Sequence, residues 1–492
     1  MLHQFRFLFS GVLFAALTLL WPDAALAKRV ALVIGMAKYQ HIESLDNTAN
    51  DARLIADTLR GIGFDVTLVI DAGYAELSKS MDSFAFDAET AELALIYFAG
   101  HGIEVQGENY LVPIDADVRS NRDVQRQSVS LDNLLATVDR ARVMRIVVLD
   151  SCRNNPFGDA IDATAKANAK PVGLAPANPE RGTLVAYAAR DGQVALDGNG
   201  ANSPFALALA DRMKVPGLEI SLMFRQVRDE VLAKTFNQQE PHTYGSLSGV
   251  PFYLAGPAEG DAPASGDLRV AWSGVRPDQE KQLIALAELG DTRSMVGLAY
   301  MRLNPEAGRF DPAEAFGLLS RAAKAGSPEA EFELAKLYER GLGVPQNYPE
   351  ALRLYQAAAD QNFADAINDL GFLYYQGELG LKQDPATALK LFERAADLRH
   401  PQALFNFSAL IDDGLIKGKG PKDAAKYLYA ALRSGAKDVL DLLEDRPNMF
   451  SVETRRELQK KLAAEGFYSG EIDGNFGPGT QKAARLAFGL TA

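Results

Sequence analysis

Cys152 is the only cysteine among 492 residues. A single thiol forms no disulfide within its own chain and no cysteine-based zinc site. It can, however, attack a carbonyl. A free thiol has a pKa of about 8.5, so at neutral pH it needs a neighbouring base. His101 lies 51 residues upstream in Tyr97-Phe98-Ala99-Gly100-His101-Gly102, and the thiol lies in Leu149-Asp150-Ser151-Cys152-Arg153. An imidazole beside a thiol favours the thiolate and later protonates the leaving amine. The implied chemistry is acyl transfer through a thioester. Glycines on both sides of His101 let a substrate backbone approach closely. The N–H groups of Gly102 and Cys152 are the candidate donors to a developing oxyanion. Either residue alone reads as structural, a small buried thiol or a satisfied histidine. The pairing is what points to catalysis.

Both motifs follow apolar runs without polar alternation. Residues 30–35, 66–70, 93–98 and 146–149 are such runs, with weaker ones at 183–187 and 251–254. Strands of this kind are buried on both faces, as in a parallel sheet under helices. Helical patterns lie between them at 49–59, 76–88, 131–138, 204–213 and 218–236. The alternation predicts a three-layer α/β domain over residues 28–255, with a mainly parallel sheet between helices. Ligands of such sheets bind outside the carboxyl ends of the strands. His101 and Cys152 are expected just past two such ends, about 4.8 Å apart if the strands are neighbours.

With those residues in view, the domain resembles the caspase-like cysteine peptidases, closer to metacaspases and bacterial caspase-like proteins than to animal caspases. Asn50-Asp51-Ala52, after the first strand, matches a further family motif. The resemblance implies a cysteine endopeptidase with Cys152 as nucleophile and His101 as general acid/base. It also implies that Asp51 and Asp150 line the specificity pocket, where two carboxylates would attract Arg or Lys of a protein substrate. Read without the resemblance, Asp51 is a helix-capping or solvated acid and Asp150 a strand-end acid. The Gln-Ala-Cys pattern of animal caspases is replaced by Asp-Ser-Cys, which argues against cleavage after aspartate. The Ala- and Pro-rich stretch 159–180, with Lys166, Lys170 and then Arg181, occupies the place where relatives are often self-cleaved. No cofactor or metal is required. Calcium activation rests on the resemblance alone, because no EF-hand spacing is present.

The rest of the chain reads as address, linker and adaptor. Residues 1–27 carry Arg6, an apolar run at 7–21 and Ala25-Leu26-Ala27, the pattern of a cleaved signal peptide. Export to the periplasm or envelope of a Gram-negative bacterium is expected, with no membrane attachment after cleavage. The net charge of −13 gives no whole-chain reason to bind nucleic acid or anionic lipid. An apolar fraction of 47% over this length suggests about three folded units. Residues 256–275 read as a linker. Over 281–445, alanine-paired motifs recur around residues 286, 322, 358, 395 and 430, at steps of 36, 36, 37 and 35. That period means an α-solenoid. It resembles Sel-one-like repeats, relatives of the tetratricopeptide repeat, which implies protein partners. Residues 452–492 contain Gly470-Glu471-Ile472-Asp473-Gly474-Asn475-Phe476-Gly477-Pro478 between two helices. They resemble a small helical peptidoglycan-binding module, which implies glycan binding or, if that fails, a folded cap on the array. The competing reading of the whole is an envelope scaffold with a catalytically silent first domain. A cell-wall hydrolase is disfavoured because the dyad resembles protein-cleaving relatives.

Overall fold

The computed structural model describes residues 28–152, 157, 182–190, 195–198, 200–245, 247, 251–256, 272 and 275–490, with the side chains of Cys152 and Ala307 left out. The signal segment, the 159–181 stretch and most of the 256–275 linker therefore lie outside the described residues. The chain divides into two compact units, one ending at Val275 and the other beginning at Arg276.

The first unit is built on strands β1 (Arg29–Gly35), β2 (Asp65–Ile70), β3 (Leu93–Val105), β6 (Met144–Cys152), β7 (Thr183–Tyr187) and β8 (His242–Gly245). They lie in the order β2-β1-β3-β6-β7-β8. All pairs are parallel except β7–β8. The centre is as apolar as the sequence predicts: Leu93 through Ala99 are each 0% exposed. Helices α1 (Thr48–Gly61), α5 (Pro204–Met213) and α6 (Ile220–Lys234) pack in one layer, and α2 (Tyr74–Ala88) and α4 (Leu131–Val138) in another. The three-layer α/β architecture is therefore present. Gly35 shows how tightly α1 sits. A Cβ there would stand 2.7 Å from the Ala52 Cβ and 2.9 Å from the Thr48 carbonyl.

Two features differ from the sequence reading. The run at 251–254 is not a strand; only Tyr253 makes an isolated antiparallel bridge, to Glu219. Pro251 has no N–H to give a ladder. The closing edge strand is β8 instead, whose half-buried, alternating exposure leaves no apolar run to notice. The second difference concerns β3, which does not stop before His101. It continues to Val105 because β4 (Glu108–Leu111) pairs in antiparallel fashion with residues 102–105 and, beyond α3 (Asn121–Gln127), with β5 (Val129–Ser130). His101 and Cys152 are thus the last rung of the β3–β6 ladder rather than residues past its end.

The second unit is an array of helix pairs. Its helices run Pro277–Glu288, Thr292–Leu303, Pro312–Lys324, Pro328–Arg340, Tyr348–Asp360, Ala364–Gln376, Pro385–Asp397, Pro401–Asp412, Pro421–Arg433 and Lys437–Asp445. Five of these ten start with a capping side chain followed by Pro in the first turn, such as Asp311-Pro312, Ser327-Pro328 and Asp384-Pro385. The paired alanines do what their size allows: Ala322, Ala358 and Ala395 are fully buried. His400 caps the helix Pro401–Asp412, its Nδ1 accepting from the Ala403 N–H (3.2 Å), and its Nε2 lies 3.7 Å from Asp365. Helices Val452–Ala464 and Pro478–Phe488 complete the unit. Between them the fully buried Gln459 donates to Asp473 Oδ1 (3.1 Å), the Asn475 carbonyl (2.9 Å) and Thr480 Oγ1 (3.1 Å), and accepts from the Gly474 N–H (2.7 Å). This module packs onto the end of the array. Arg433, 3% exposed, donates to the Ala487 carbonyl (3.1 Å), and Ser451 N–H and Oγ both donate to Asp412. Among the described residues, no helix is long and apolar enough to cross a membrane.

Candidate active site

The site is assembled at the carboxyl ends of β1, β3, β6 and β7. Strand β3 supplies His101, and the register sets it directly beside Cys152 of β6. The pair separated by 51 residues in sequence thus stands on neighbouring strands, about 4.8 Å apart at the backbone.

His101 is 7% exposed, and its surroundings fix which nitrogen can work. Nε2 lies 3.1 Å from the Glu43 carbonyl oxygen. A carbonyl only accepts, so in the neutral ring Nε2 carries the proton and Nδ1 keeps its lone pair. Nδ1 is buried and has no hydrogen-bond partner among the described residues. Burial also lowers the imidazole pKa from its usual value, opposed by the Glu43 carbonyl and the charges of Glu43 and Asp197. The neutral, proton-accepting form is therefore favoured at neutral pH.

The loop after β1 holds this arrangement. Asp71, in a left-handed conformation (φ 53°), accepts from the N–H groups of Ala37 (2.7 Å) and Lys38 (2.9 Å). That places Tyr39, whose hydroxyl accepts from the His101 N–H (2.8 Å) and donates to the Val112 carbonyl (3.2 Å). Its ring lies 4.7 Å from the imidazole. The Val112 N–H donates to the His101 carbonyl (3.0 Å), so the backbone groups of His101 face away from β6. By strand alternation, the Gly102 N–H lies on the edge facing β6, the strand that ends in Cys152. An N–H on that edge can serve the ladder or an oxyanion, not both at full strength.

Gly100 is required by the same packing. A Cβ there would sit 2.8 Å from the Tyr39 hydroxyl, 2.9 Å from Phe98 Cζ and 3.0 Å from Met36 Cβ. Gly100→Ala should therefore cost about 2 kcal/mol of stability and displace Tyr39 from the His101 backbone. Denaturant unfolding of the full chain would show this as a lower midpoint.

The structure also brings Asp51 and Asp150 together. Asp51 stands in the first turn of α1, 2% exposed, and Asp150 on β6, 8% exposed. Ser203, just before α5, links them: its N–H donates to Asp51 Oδ1 (3.0 Å) and its hydroxyl to Asp150 Oδ2 (3.0 Å). Asn202 Nδ2 adds a bond to Asp51 Oδ1 (2.8 Å), and the Tyr97 hydroxyl one to Asp150 Oδ2 (2.8 Å). Burial, opposed by these hydrogen bonds, raises Asp51 to about 6. Burial and then the charge of Asp51 raise Asp150 to about 7, against hydrogen bonds from Tyr97 and Ser203. Asp197 is raised as well, by burial and by Asp46. Among the described residues, neutral donors alone hold Asp51 and Asp150, an arrangement that favours an incoming cation. Among the described residues, no group of three or more His, Cys, Asp or Glu side chains could hold a metal ion.

Several contributors were invisible in the sequence. The Glu43 contribution is a backbone carbonyl, which residue type does not encode. Asn47 Nδ2 donates to the Asp197 carbonyl (2.7 Å) and Asn50 Nδ2 to the Ala201 carbonyl (3.2 Å), tying α1 to the 195–203 loop. Gln239, 0% exposed, accepts from the Leu196 N–H (3.0 Å) and donates to the Ala188 carbonyl (2.8 Å). The remaining histidines take no part: His41 is exposed, and His242 lies in β8 with its ring 4.8 Å from that of Tyr244.

Three family models match the chain. The caspase-domain family matches residues 28–252. Over that span the first unit is similar to the caspase domain. Sel1 repeats match 292–327, 328–363 and 364–400, and a peptidoglycan binding domain matches 451–485. The human mucosa-associated lymphoid tissue lymphoma translocation protein 1 is 30% identical over 142 residues, 28% of this chain and 17% of that protein. A chitin synthase regulator of Saccharomyces cerevisiae is 42% identical over 83 residues, 16% of this chain and 12% of that protein. The chain thus spans less than a fifth of the length of these relatives. Among solved structures, a Sel1 repeat protein from Oxalobacter formigenes is 23% identical, with a TM-score of 0.31 over 43% of this chain and 98% of its own. The matches to the caspase domain, the Sel1 repeats and the peptidoglycan binding domain follow one another along the chain in the order read from the sequence.

Proposed function

We propose that this protein is a cysteine endopeptidase of the bacterial envelope that cleaves proteins after Arg or Lys. Cys152 attacks the scissile carbonyl, and His101 Nδ1 takes the thiol proton and returns it to the leaving amine. The N–H groups of Gly102 and Cys152 receive the oxyanion on leaving the β3–β6 ladder, and water then hydrolyses the thioester. Asp51 and Asp150 hold the basic side chain of the substrate. The observation that carries this reading is the rung His101↔Cys152 beside a buried pair of carboxylates that, among the described residues, are bound only by neutral donors. The Sel1 repeats offer partner contact, and the C-terminal domain offers contact with peptidoglycan. Self-cleavage after Lys166, Lys170 or Arg181 and activation by calcium belong to the same reading.

The competing reading is an envelope scaffold that no longer cleaves. The tight packing of the C-terminal module on the array favours a structural cap there and leaves a purely adaptor role open for that unit. Fluorogenic peptides ending in Arg, Lys or Asp separate the two, with and without calcium. Turnover of Arg or Lys peptides alone is expected. Aspartate preference would overturn the pocket assignment, and no turnover of any peptide would favour the scaffold. Enrichment of the full chain with pelleted cell-wall sacculi, above a control protein, tests the glycan assignment.

A further inference from the structure

Tyr97 lies on β3 four residues before His101, so strand alternation puts both side chains on one face of the sheet. The register sets Tyr97 beside Val148 and Ala99 beside Asp150, which makes Asp150 the diagonal neighbour of Tyr97 on that face. Tyr97 is 0% exposed, and its hydroxyl donates to Asp150 Oδ2 at 2.8 Å. The Ser203 hydroxyl donates to the same oxygen at 3.0 Å but also accepts from the Ala206 N–H (3.0 Å) as the cap of α5. Tyr97 is therefore the Asp150 donor with no capping duty. Among the described residues, the charged groups facing Asp150 are Asp51 on α1 and Asp197 in the loop 195–198, and both are acids. Burial and both neighbours favour the protonated acid; the two hydroxyls oppose them.

We propose that Tyr97 is a positioning residue of the basic-residue pocket, whose hydroxyl keeps the Asp150 carboxylate charged and in place for a cationic substrate side chain. The inference rests on the proposed Arg/Lys preference for its use, but not for its detection. In a buried site, a hydrogen bond to the ionised form is worth roughly 1–2 kcal/mol, about one pKa unit. Tyr97→Phe keeps the ring and its packing and removes only that donor.

The test is the pH dependence of thermal unfolding of the full chain, which needs no activity. Wild type should lose stability as pH rises from about 4 to about 7, because the folded state holds the Asp150 proton more tightly than the unfolded state. In Tyr97→Phe this loss should extend about one pH unit higher, so the gap in melting temperature widens from about pH 6 to about pH 8. In an Asp150→Asn background the widening should vanish. A gap constant with pH, or one that survives in that background, overturns the proposal. So does a variant unfolded at every pH and not rescued by Asp150→Asn, since the role would then be packing. Where Arg or Lys peptides are turned over, the acid limb of kcat/KM should move up by the same unit, about a tenfold loss near pH 6 that shrinks toward pH 8.5. Absence of such turnover in wild type would count against the proposed activity and leave the unfolding result to decide the role of Tyr97.

Discussion

Cys152→Ala should abolish turnover of Arg and Lys peptides, with kcat falling at least about 1,000-fold, and His101→Ala should fall nearly as far. The double variant should be little worse than either single one, because thiol and imidazole act as a unit. KM should change little, since neither group is proposed to bind the basic side chain. Active-site titration with a thiol-reactive peptide would separate the two roles. Cys152→Ala should take up no label, whereas His101→Ala should label slowly and regain rate as pH approaches the free thiol value of about 8.5. Neither substitution removes a large core side chain, so the melting temperature should move by only a few degrees. Retention of full turnover in Cys152→Ala would refute the peptidase reading outright.

Asp150→Asn should produce opposite changes in stability and activity. Asp150 is held at about 7 in the folded state, well above the roughly 3.9 of an exposed aspartate. The folded state therefore binds the proton more tightly, and stability falls as pH rises from about 4 to about 7. Asparagine keeps the size and an acceptor oxygen for Tyr97 and Ser203 but carries no charge. Above about pH 7 the variant should be more stable than wild type by on the order of 4 kcal/mol, a rise of roughly 8–16 °C in the melting temperature of the domain. Near pH 4 the two should coincide. On Arg peptides at about pH 7.5, kcat/KM should fall about 100-fold, because a cation entering the pocket loses its buried partner. Calorimetry and peptide kinetics on one preparation would check both signs. Lower stability at neutral pH would mean that the charge is compensated and the pocket is not poised for a cation.

What the sequence disclosed, it disclosed through side-chain type. Unbroken apolar runs marked β1, β3 and β6, and the only thiol and a glycine-flanked imidazole marked the last rung. The paired acids became visible through the motif around Asp51. The rest depends on groups that type does not announce. The tautomer of His101 is set by the Glu43 carbonyl, which any residue at that position would supply. Tyr39 reads as one more aromatic in a loop until its hydroxyl is found under the His101 N–H. Gln239 is a buried amide whose partners, Ala188 and Leu196, are bonded through backbone alone. Strand β8 went unread because an edge strand with one wet face carries no continuous apolar signal, whereas Pro251 at the head of a short apolar run imitated one.

The bond from Ser203 to Asp51 spans 152 residues of chain. A polypeptide emerging from the ribosome completes its thiol and imidazole long before it can build the pocket that would feed them. Until residues 202 and 203 have been made and folded back, Asp51 lacks the donors that hold it, and Asp150 has the Tyr97 hydroxyl but not that of Ser203. On the proposed peptidase reading, the order of synthesis thus withholds a complete pocket from a half-made molecule.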